Sequence, residues 1–301
     1  MSVEAVIVPK LTVVEWKMKT SNISMQDQIN LWKKQGADAD KKIASHYRQI
    51  ENIEKLGKAL NVPIIHRDDF NVDVAKKYNI IFSPGGDNHL QYVSRFVTGD
   101  QLVVGINSDP ETSKGGILSF KPEHIDYLRD CLDKNSFETE KWTRLQAVLD
   151  GELLPFFALS EIFVGELKNR GISRSIINYR GINDEQKNSG LVIATGSGLT
   201  GWYRNIVGHW KDEVMEKYSH FPRTAPHARF VCREKDLDSG FLEIGDLDLG
   251  EELTIFSLGK DTEIDFDPDP SDDSFSFNLE EGSKVSISVA HEHPLRVAIL
   301  P

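Results

Sequence analysis

A change of pattern about a third of the way along the chain constrains the fold most. Up to about residue 110, short apolar runs alternate with stretches of helical period; beyond it, short β-rich runs take over. Ala5-Val6-Ile7-Val8 reads as a first buried strand. Residues 25–60 carry Ile43, Tyr47, Ile50, Ile53 and Leu56 at helical spacing, which predicts one or two amphipathic helices. Val62-Pro63-Ile64-Ile65, Asn79-Ile80-Ile81-Phe82-Ser83 and Leu102-Val103-Val104-Gly105-Ile106 are further strands, with a helix over 90–96. Strands alternating with helices imply a parallel sheet covered by helices on both faces. Helices are expected over 121–134 and 137–149, the second with Leu145, Val148 and Leu149 facing inward. From residue 156, strands are expected over 157–164, 173–179, 190–194, 227–232, 253–258, 263–266, 274–279, 285–290 and 295–300, separated by Gly-Asp, Asp-Pro and Glu-Gly turns. The expected organisation is an α/β amino-terminal domain, 1–110, and a β-rich carboxyl-terminal domain, 111–301, meeting in the polar loop 107–116.

Charge and composition narrow the function. Lys and Arg total 35 against 47 Asp and Glu, a net charge of −12, which argues against a nucleic-acid or anionic-membrane binder. A locally basic pocket for a phosphorylated ligand remains compatible with it. Cys131 and Cys232 form no CxxC pair, so neither a disulfide framework nor a cysteine zinc site organises the chain. The opening residues lack the pattern of a signal peptide, and no stretch approaches the roughly 20 apolar residues of a membrane span. The expected location is cytoplasmic. In 261–281 nine residues are acidic and none basic, which reads as a solvated acidic hairpin. Asp265 to Asp269 superficially resemble a calcium loop but carry proline where that loop needs glycine.

Three segments could carry chemistry. Ser83-Pro84-Gly85-Gly86-Asp87-Asn88-His89 follows an apolar strand, and ligands of open α/β sheets sit beyond the carboxyl ends of strands. Two glycines let backbone N–H groups approach phosphate oxygens, and the carboxylate could take a proton from a hydroxyl or hold magnesium. A plain strand-to-helix turn with Asp87 as N-cap is the competing reading. Thr195-Gly196-Ser197-Gly198-Leu199-Thr200-Gly201-Trp202-Tyr203 suits a nucleotide's ribose, phosphate or base, or is a ligand-free glycine-rich turn; it is no P-loop, for no Gly-Lys-Ser/Thr follows. Ser160-Glu161 opens a strand, and by itself Glu161 reads as a surface residue.

In this order and spacing the segments resemble the NAD kinase family. Its Gly-Gly-Asp-Gly-Thr, Gly-Val-Asn, Asn-Glu and Thr-Gly-Ser/Thr-rich patterns appear here as Gly85-Gly86-Asp87-Asn88-His89, Gly105-Ile106-Asn107, Ser160-Glu161 and Thr195 to Trp202. The closing His293-Pro294-Leu295-Arg296-Val297 fits the family's last strands. The Lys-Leu-Thr start, the helical insert at 25–60, Asn107-Ser108-Asp109-Pro110 and Lys187-Asn188-Ser189-Gly190-Leu191 resemble the mitochondrial type. The resemblance implies a two-domain NAD kinase-like fold with the active site between the domains. It implies transfer of the γ-phosphoryl of ATP to the 2′-hydroxyl of the NAD adenosine ribose, with magnesium, and assembly as a homodimer or tetramer, of which a homodimer is expected. Asp87 then matches the catalytic proton acceptor. Gly85, Gly86, Asn88 and His89 match the phosphate loop, and Asn107, Ser160 and Glu161 match positions that hold the dinucleotide. Thr195, Ser197, Thr200 and Trp202 match positions around its adenosine part, and Ser189 stands where many relatives have aspartate.

Three departures bear on activity. Asn88 replaces glycine, with a side chain where a phosphate or ribose would approach, although Asn tolerates positive φ. His89 replaces threonine and could offer an imidazolium to a phosphate. Ser160 replaces Asn. Arg95, Lys114, Arg174 and Arg204 are the nearby cations, and no histidine pattern marks a metal site. Two alternatives remain: a non-catalytic NAD(P)-binding homologue with an altered phosphate loop, and a kinase of the diacylglycerol or sphingosine group, which shares a Gly-Gly-Asp-Gly-type loop.

Overall fold

The computed structural model describes residues 4–166, 171–210, 220–269 and 275–301. The chain forms two compact units, Met1–Thr139 with Arg296–Pro301, and Glu140–Leu295. This differs from a division at 107–116, and the core explains why. The expected helix at 121–134 is present as Ile125–Lys134, and its Leu128 and Leu132 are buried in one cluster with Ile7, Phe82, Val104 and Phe120. Those residues therefore complete the first unit's core.

The first sheet runs Ala5–Ile7, Ile80–Gly85, Leu102–Asn107, Leu295–Ala298, with Thr139–Trp142 at its edge. The first four strands pair in parallel, with Ile81 opposite Val103 and Val297 opposite Val103. The central strands Ile80–Gly85 and Leu102–Asn107 are buried along their whole length, as continuous apolar runs of a covered parallel sheet should be. The carboxyl-terminal strand thus returns to the first unit, although the sequence pattern assigns it to the β-rich part.

The 25–60 region forms two helices, Met25–Lys34 and Ala39–Leu60. The break falls at Gly36, where φ is +69°, and each helix has a side-chain N-cap, Ser24 on the Asp27 N–H and Asp38 on the Lys41 N–H. A further helix, Val13–Ser21, begins with a Thr12/Glu15 capping box. The strand expected at 62–65 reduces to one bridge between Ile64 and Ile7.

The second unit contains two six-stranded antiparallel sheets. One runs Ile244–Asp248, His227–Cys232, Leu191–Thr195, Glu161–Glu166, Thr262–Phe266, Ser276–Leu279. The other runs Glu152–Leu153, Leu145–Leu149, Lys284–Val289, Glu252–Ser257, Ser173–Tyr179, Ile182–Asn188. The helix expected over 137–149 is corrected to the strands Thr139–Trp142 and Leu145–Leu149. Leu145 and Ala147 alternate inward there with the period of two of a strand, whereas Leu145, Val148 and Leu149 also match helical spacing, so a run this short does not separate the two. Ser274, the first residue of one expected strand, lies outside the described residues. Among the described residues no helix is long and apolar enough to cross a membrane.

Candidate active site

Asp87 stands at the carboxyl end of Ile80–Gly85, as the first residue of the helix Asp87–Ser94, whose N-cap is Gly86. Its carboxylate does not cap that helix. One oxygen accepts the Gly116 N–H at 2.8 Å and the other accepts the Ile117 N–H at 3.1 Å. An ionised carboxylate has about four lone-pair sites, so each oxygen keeps one for a further donor. The group is oriented by two backbone amides and still able to receive a proton.

Asn107 ends the neighbouring strand and is buried. Its amide nitrogen donates to Ser113 O at 2.9 Å and its oxygen accepts the Asp109 N–H at 3.1 Å. A Cβ on Gly115, where φ is +62°, would lie 2.8 Å from that amide nitrogen. Asn107 therefore shapes the loop whose amides hold Asp87. Asp109, which the sequence reading left without a role, is almost fully buried and accepts from Ser45 Oγ, from Thr112 Oγ1 at 2.6 Å and from Arg48 Nε at 3.0 Å. Burial pushes its carboxyl upward, but these hydrogen bonds and the Arg48 charge outweigh it and hold the pKa below the ordinary value.

His89 is corrected by the structure. It is 4% exposed, with Nε2 2.7 Å from Val8 O and its ring stacked on Tyr92. Burial depresses its pKa to about 3, with the Arg67 and Lys10 charges acting in the same direction. The ring is neutral at physiological pH and is no imidazolium for a phosphate. It instead accounts for Gly85: a Cβ there would lie 2.6 Å from His89 Cβ. Gly86 is different: among the described residues a Cβ there would meet only Ser113 Oγ, at 3.9 Å, an ordinary contact. Asn88 is exposed and lies within the right-handed helix, so no positive φ is demanded of it.

Glu161 is also corrected: it is buried, not a surface residue. Burial, followed by the nearby Asp267 charge, raises its pKa to about 8. Asp267 belongs to the segment read as a solvated acidic hairpin, but it is 1% exposed. Its carboxylate accepts the N–H groups of Leu159 at 2.8 Å, Ser160 at 2.7 Å and Glu161 at 2.9 Å. That explains why the strand begins at Glu161 and not at 157: the preceding amides point to a side chain. The Asp267-Pro268 dipeptide is its sequence-level signal, and in the structure Asp267 takes a left-handed φ of +47°.

The 195–202 stretch lies against this pair. Thr195 Oγ1 donates to Leu159 O at 2.6 Å and accepts the Ser197 N–H at 3.1 Å. A Cβ on Gly198 would fall 2.3 Å from Ser160 O and 2.9 Å from a Glu161 oxygen. Among the described residues Ser197 Oγ is buried with no hydrogen-bond partner, whereas Thr200 is exposed. Trp202 stacks on Phe163 at 5.1 Å, and the Arg233 guanidinium lies 4.7 Å from its ring centre. Arg233 also donates to Ser189 O, and Ser189 Oγ donates to Glu234 at 2.6 Å. Asp267 thus holds the amides of Ser160 and Glu161, to whose strand Thr195 bonds, while Arg233 joins Trp202 to Ser189; the motifs single out neither Asp267 nor Arg233.

Of the four cations named from sequence, Arg95 is 2% exposed and is not a solvent-facing charge, while Lys114, Arg174 and Arg204 are exposed. Arg204 lines a cavity of about 620 Å³ with Leu199 and Tyr203. Lys10 is a cation the sequence missed. Its N–H donates to Pro84 O, which sets it at the carboxyl edge of the sheet, and burial lowers its ammonium pKa against the attraction of Asp109. No group of three or more His, Cys, Asp or Glu among the described residues could hold a metal ion by itself.

The fold is that of the NAD kinases. A crystal structure of an NAD kinase from Archaeoglobus fulgidus in complex with ATP covers 98% of this chain and 93% of its own with a TM-score of 0.64 at 16% identity. Yeast NADH kinase complexed with NADH covers 100% and 84% with a TM-score of 0.69 at 11% identity. In sequence the chain is similar to NAD kinase 2, mitochondrial, of Rattus norvegicus, at 24% identity over 254 residues and 67% of this chain. It spans about 59% of that protein's length. The resemblance to the mitochondrial branch is thus found in sequence as well as in motif order. No family model matches the chain.

Proposed function

We propose that the protein is an NAD kinase, transferring the γ-phosphoryl of ATP to the 2′-hydroxyl of the NAD adenosine ribose to give NADP. The observation that carries the reading is Asp87: a carboxylate beyond the end of a parallel strand, oriented by the Gly116 and Ile117 amides, with one lone pair on each oxygen unspent. As the 2′-oxygen bonds to the γ-phosphorus and the bond to the bridging oxygen of ADP breaks, the hydroxyl proton passes to Asp87. Positioning and charge neutralisation supply most of the acceleration of such a reaction. The names of the similar proteins and structures support the same reading.

The residues present fit a magnesium ion that arrives with the nucleotide: Asp87 has spare lone pairs, and magnesium is commonly held by one or two carboxylates, water and substrate phosphates. Asp87 would hold it, and the ion would neutralise phosphate charge. Protonated Glu161 would donate a hydrogen bond to the dinucleotide, and the unpartnered Ser197 hydroxyl is available for another. Gly86 gives the phosphates a backbone without side-chain obstruction. A homodimer and a cytoplasmic location extend the proposal and are tested by light scattering and by fractionation.

The decisive experiment is NADP formation from NAD, ATP and magnesium by the wild type and by Asp87→Asn. We expect turnover by the wild type and a loss of about 10²-fold or more in the variant, the scale of general-base removal. A variant that keeps full turnover overturns the assignment of Asp87. A wild type that binds NAD, seen as a raised melting temperature, yet forms no NADP favours the non-catalytic homologue.

A further inference from the structure

We infer that Asp109 is a positioning residue of the reaction, and that the helix Ala39–Leu60 exists in part to hold it. The inference rests on the kinase reading above and adds a device to it. Asp87 receives its orientation from the Gly116 and Ile117 amides, so the placement of the 108–117 loop decides where the reacting carboxylate points. Asp109 is the loop's anchor. It is 1% exposed, and three side chains donate to its two carboxylate oxygens: Ser45, Thr112 and Arg48. Its own carbonyl accepts the Thr112 and Ser113 N–H groups, which closes the loop's first turn.

Ser45 and Arg48 stand on one face of the helix with Gln49 and Asn52. Gln49 donates to Ser45 Oγ at 2.9 Å, and Asn52 donates to Ser108 O at 3.1 Å. Arg48 also pairs with Glu111 at 2.9 Å. The contacts therefore run from the helix through Asp109 and the loop to Asp87. Four polar side chains, Ser45, Arg48, Gln49 and Asn52, occur on this face where an ordinary core-packing helix would place apolar residues. Charge-assisted bonds of this kind are short and directional, which suits a requirement for position more than for stability alone. A displacement of about 1 Å in a reacting group can cost on the order of 10²-fold in rate.

Asp109→Asn keeps the shape but cannot accept from all three donors. The expected result is a fall in kcat of about tenfold or more with KM for NAD within about threefold, because orientation and not binding is lost. Amide hydrogen exchange at Gly116 and Ile117 should quicken by about tenfold as the loop loosens. Combined with Asp87→Asn, the change should cause no further loss, since residues that act through one group are non-additive. Ser45→Ala, which leaves Arg48 paired, is the milder variant should Asp109→Asn fail to fold, and should show the same split to a smaller extent. A lowered melting temperature with kcat unchanged per folded molecule overturns the inference, as does a loss that multiplies that of Asp87→Asn. Unchanged exchange at Gly116 and Ile117 also overturns it, with no reference to activity. If exchange quickens but the wild type forms no NADP, the kinase reading has failed and the loop clamp stands.

Discussion

Glu161 makes the sharpest test of the electrostatics, because its raised pKa is a statement about stability. Unfolded, its carboxyl titrates near 4.5; folded, burial first and the Asp267 charge second raise it to about 8. The native state therefore binds more protons than the unfolded state between those values, and stability falls as pH rises. Below about pH 4.5 Glu161 imposes no cost. Above about pH 8 the cost is complete. At about 1.4 kcal/mol per unit, the cost is about 1 kcal/mol at pH 5, about 3 kcal/mol at pH 7 and between 4 and 5 kcal/mol, roughly, at pH 9. Glu161→Gln keeps the shape and removes the titration. Urea unfolding of both proteins should show the variant gaining about 4 kcal/mol on the wild type between pH 5 and pH 9. A difference that stays within about 0.5 kcal/mol over that range would mean that Glu161 is ionised throughout, and the reading of the Glu161–Asp267 pair would be wrong.

Three further outcomes follow from the Gly85–His89 packing. The neutral His89 gives no cationic contact to a phosphate, so His89→Ala should leave the pH profile of turnover in place; its folded pKa of about 3 lies below the ordinary 6.5, so the wild type should lose stability as pH falls from about 6.5 towards 3, and the variant should lose this dependence, read by urea unfolding at pH 4 and 7. Gly85→Ala sets a Cβ 2.6 Å from His89 Cβ, where backbone must move, and should cost about 1–3 kcal/mol in thermal or urea unfolding; an unchanged midpoint would show that the helix yields freely.

The sequence by itself determined the elements whose signal is local. The buried run Ile80 to Phe82 leading into Gly85-Gly86-Asp87 specifies a parallel strand, a turn and a helix start, and the structure has all three. The helical character of 25–60 follows from spacing, whereas its division into two helices at Gly36 is seen only in the structure. Motif order was enough to indicate the NAD kinase fold, because it samples the chain at many points.

Tertiary structure decided what depends on partners distant in sequence. The strand Ile182–Asn188 turns Asp184, Gln186 and Asn188 inward, so no apolar alternation announces it; its buried polar groups are satisfied by one another and by Phe241 and Leu242 amides. Asp267 and Glu161 read as surface acids because a carboxylate is rarely buried, and only the three amides that converge on Asp267 reverse the expectation. His89 read as a phosphate ligand from its place in the motif, but the chain turns it into a pocket beneath Val8, where burial keeps it neutral. Asp109 lies 64 residues from Ser45 in the chain and touches it in the fold. Side-chain chemistry lists what a residue can do; burial and the groups that surround it select which of those properties it keeps, and both come from segments that meet only when the chain has folded.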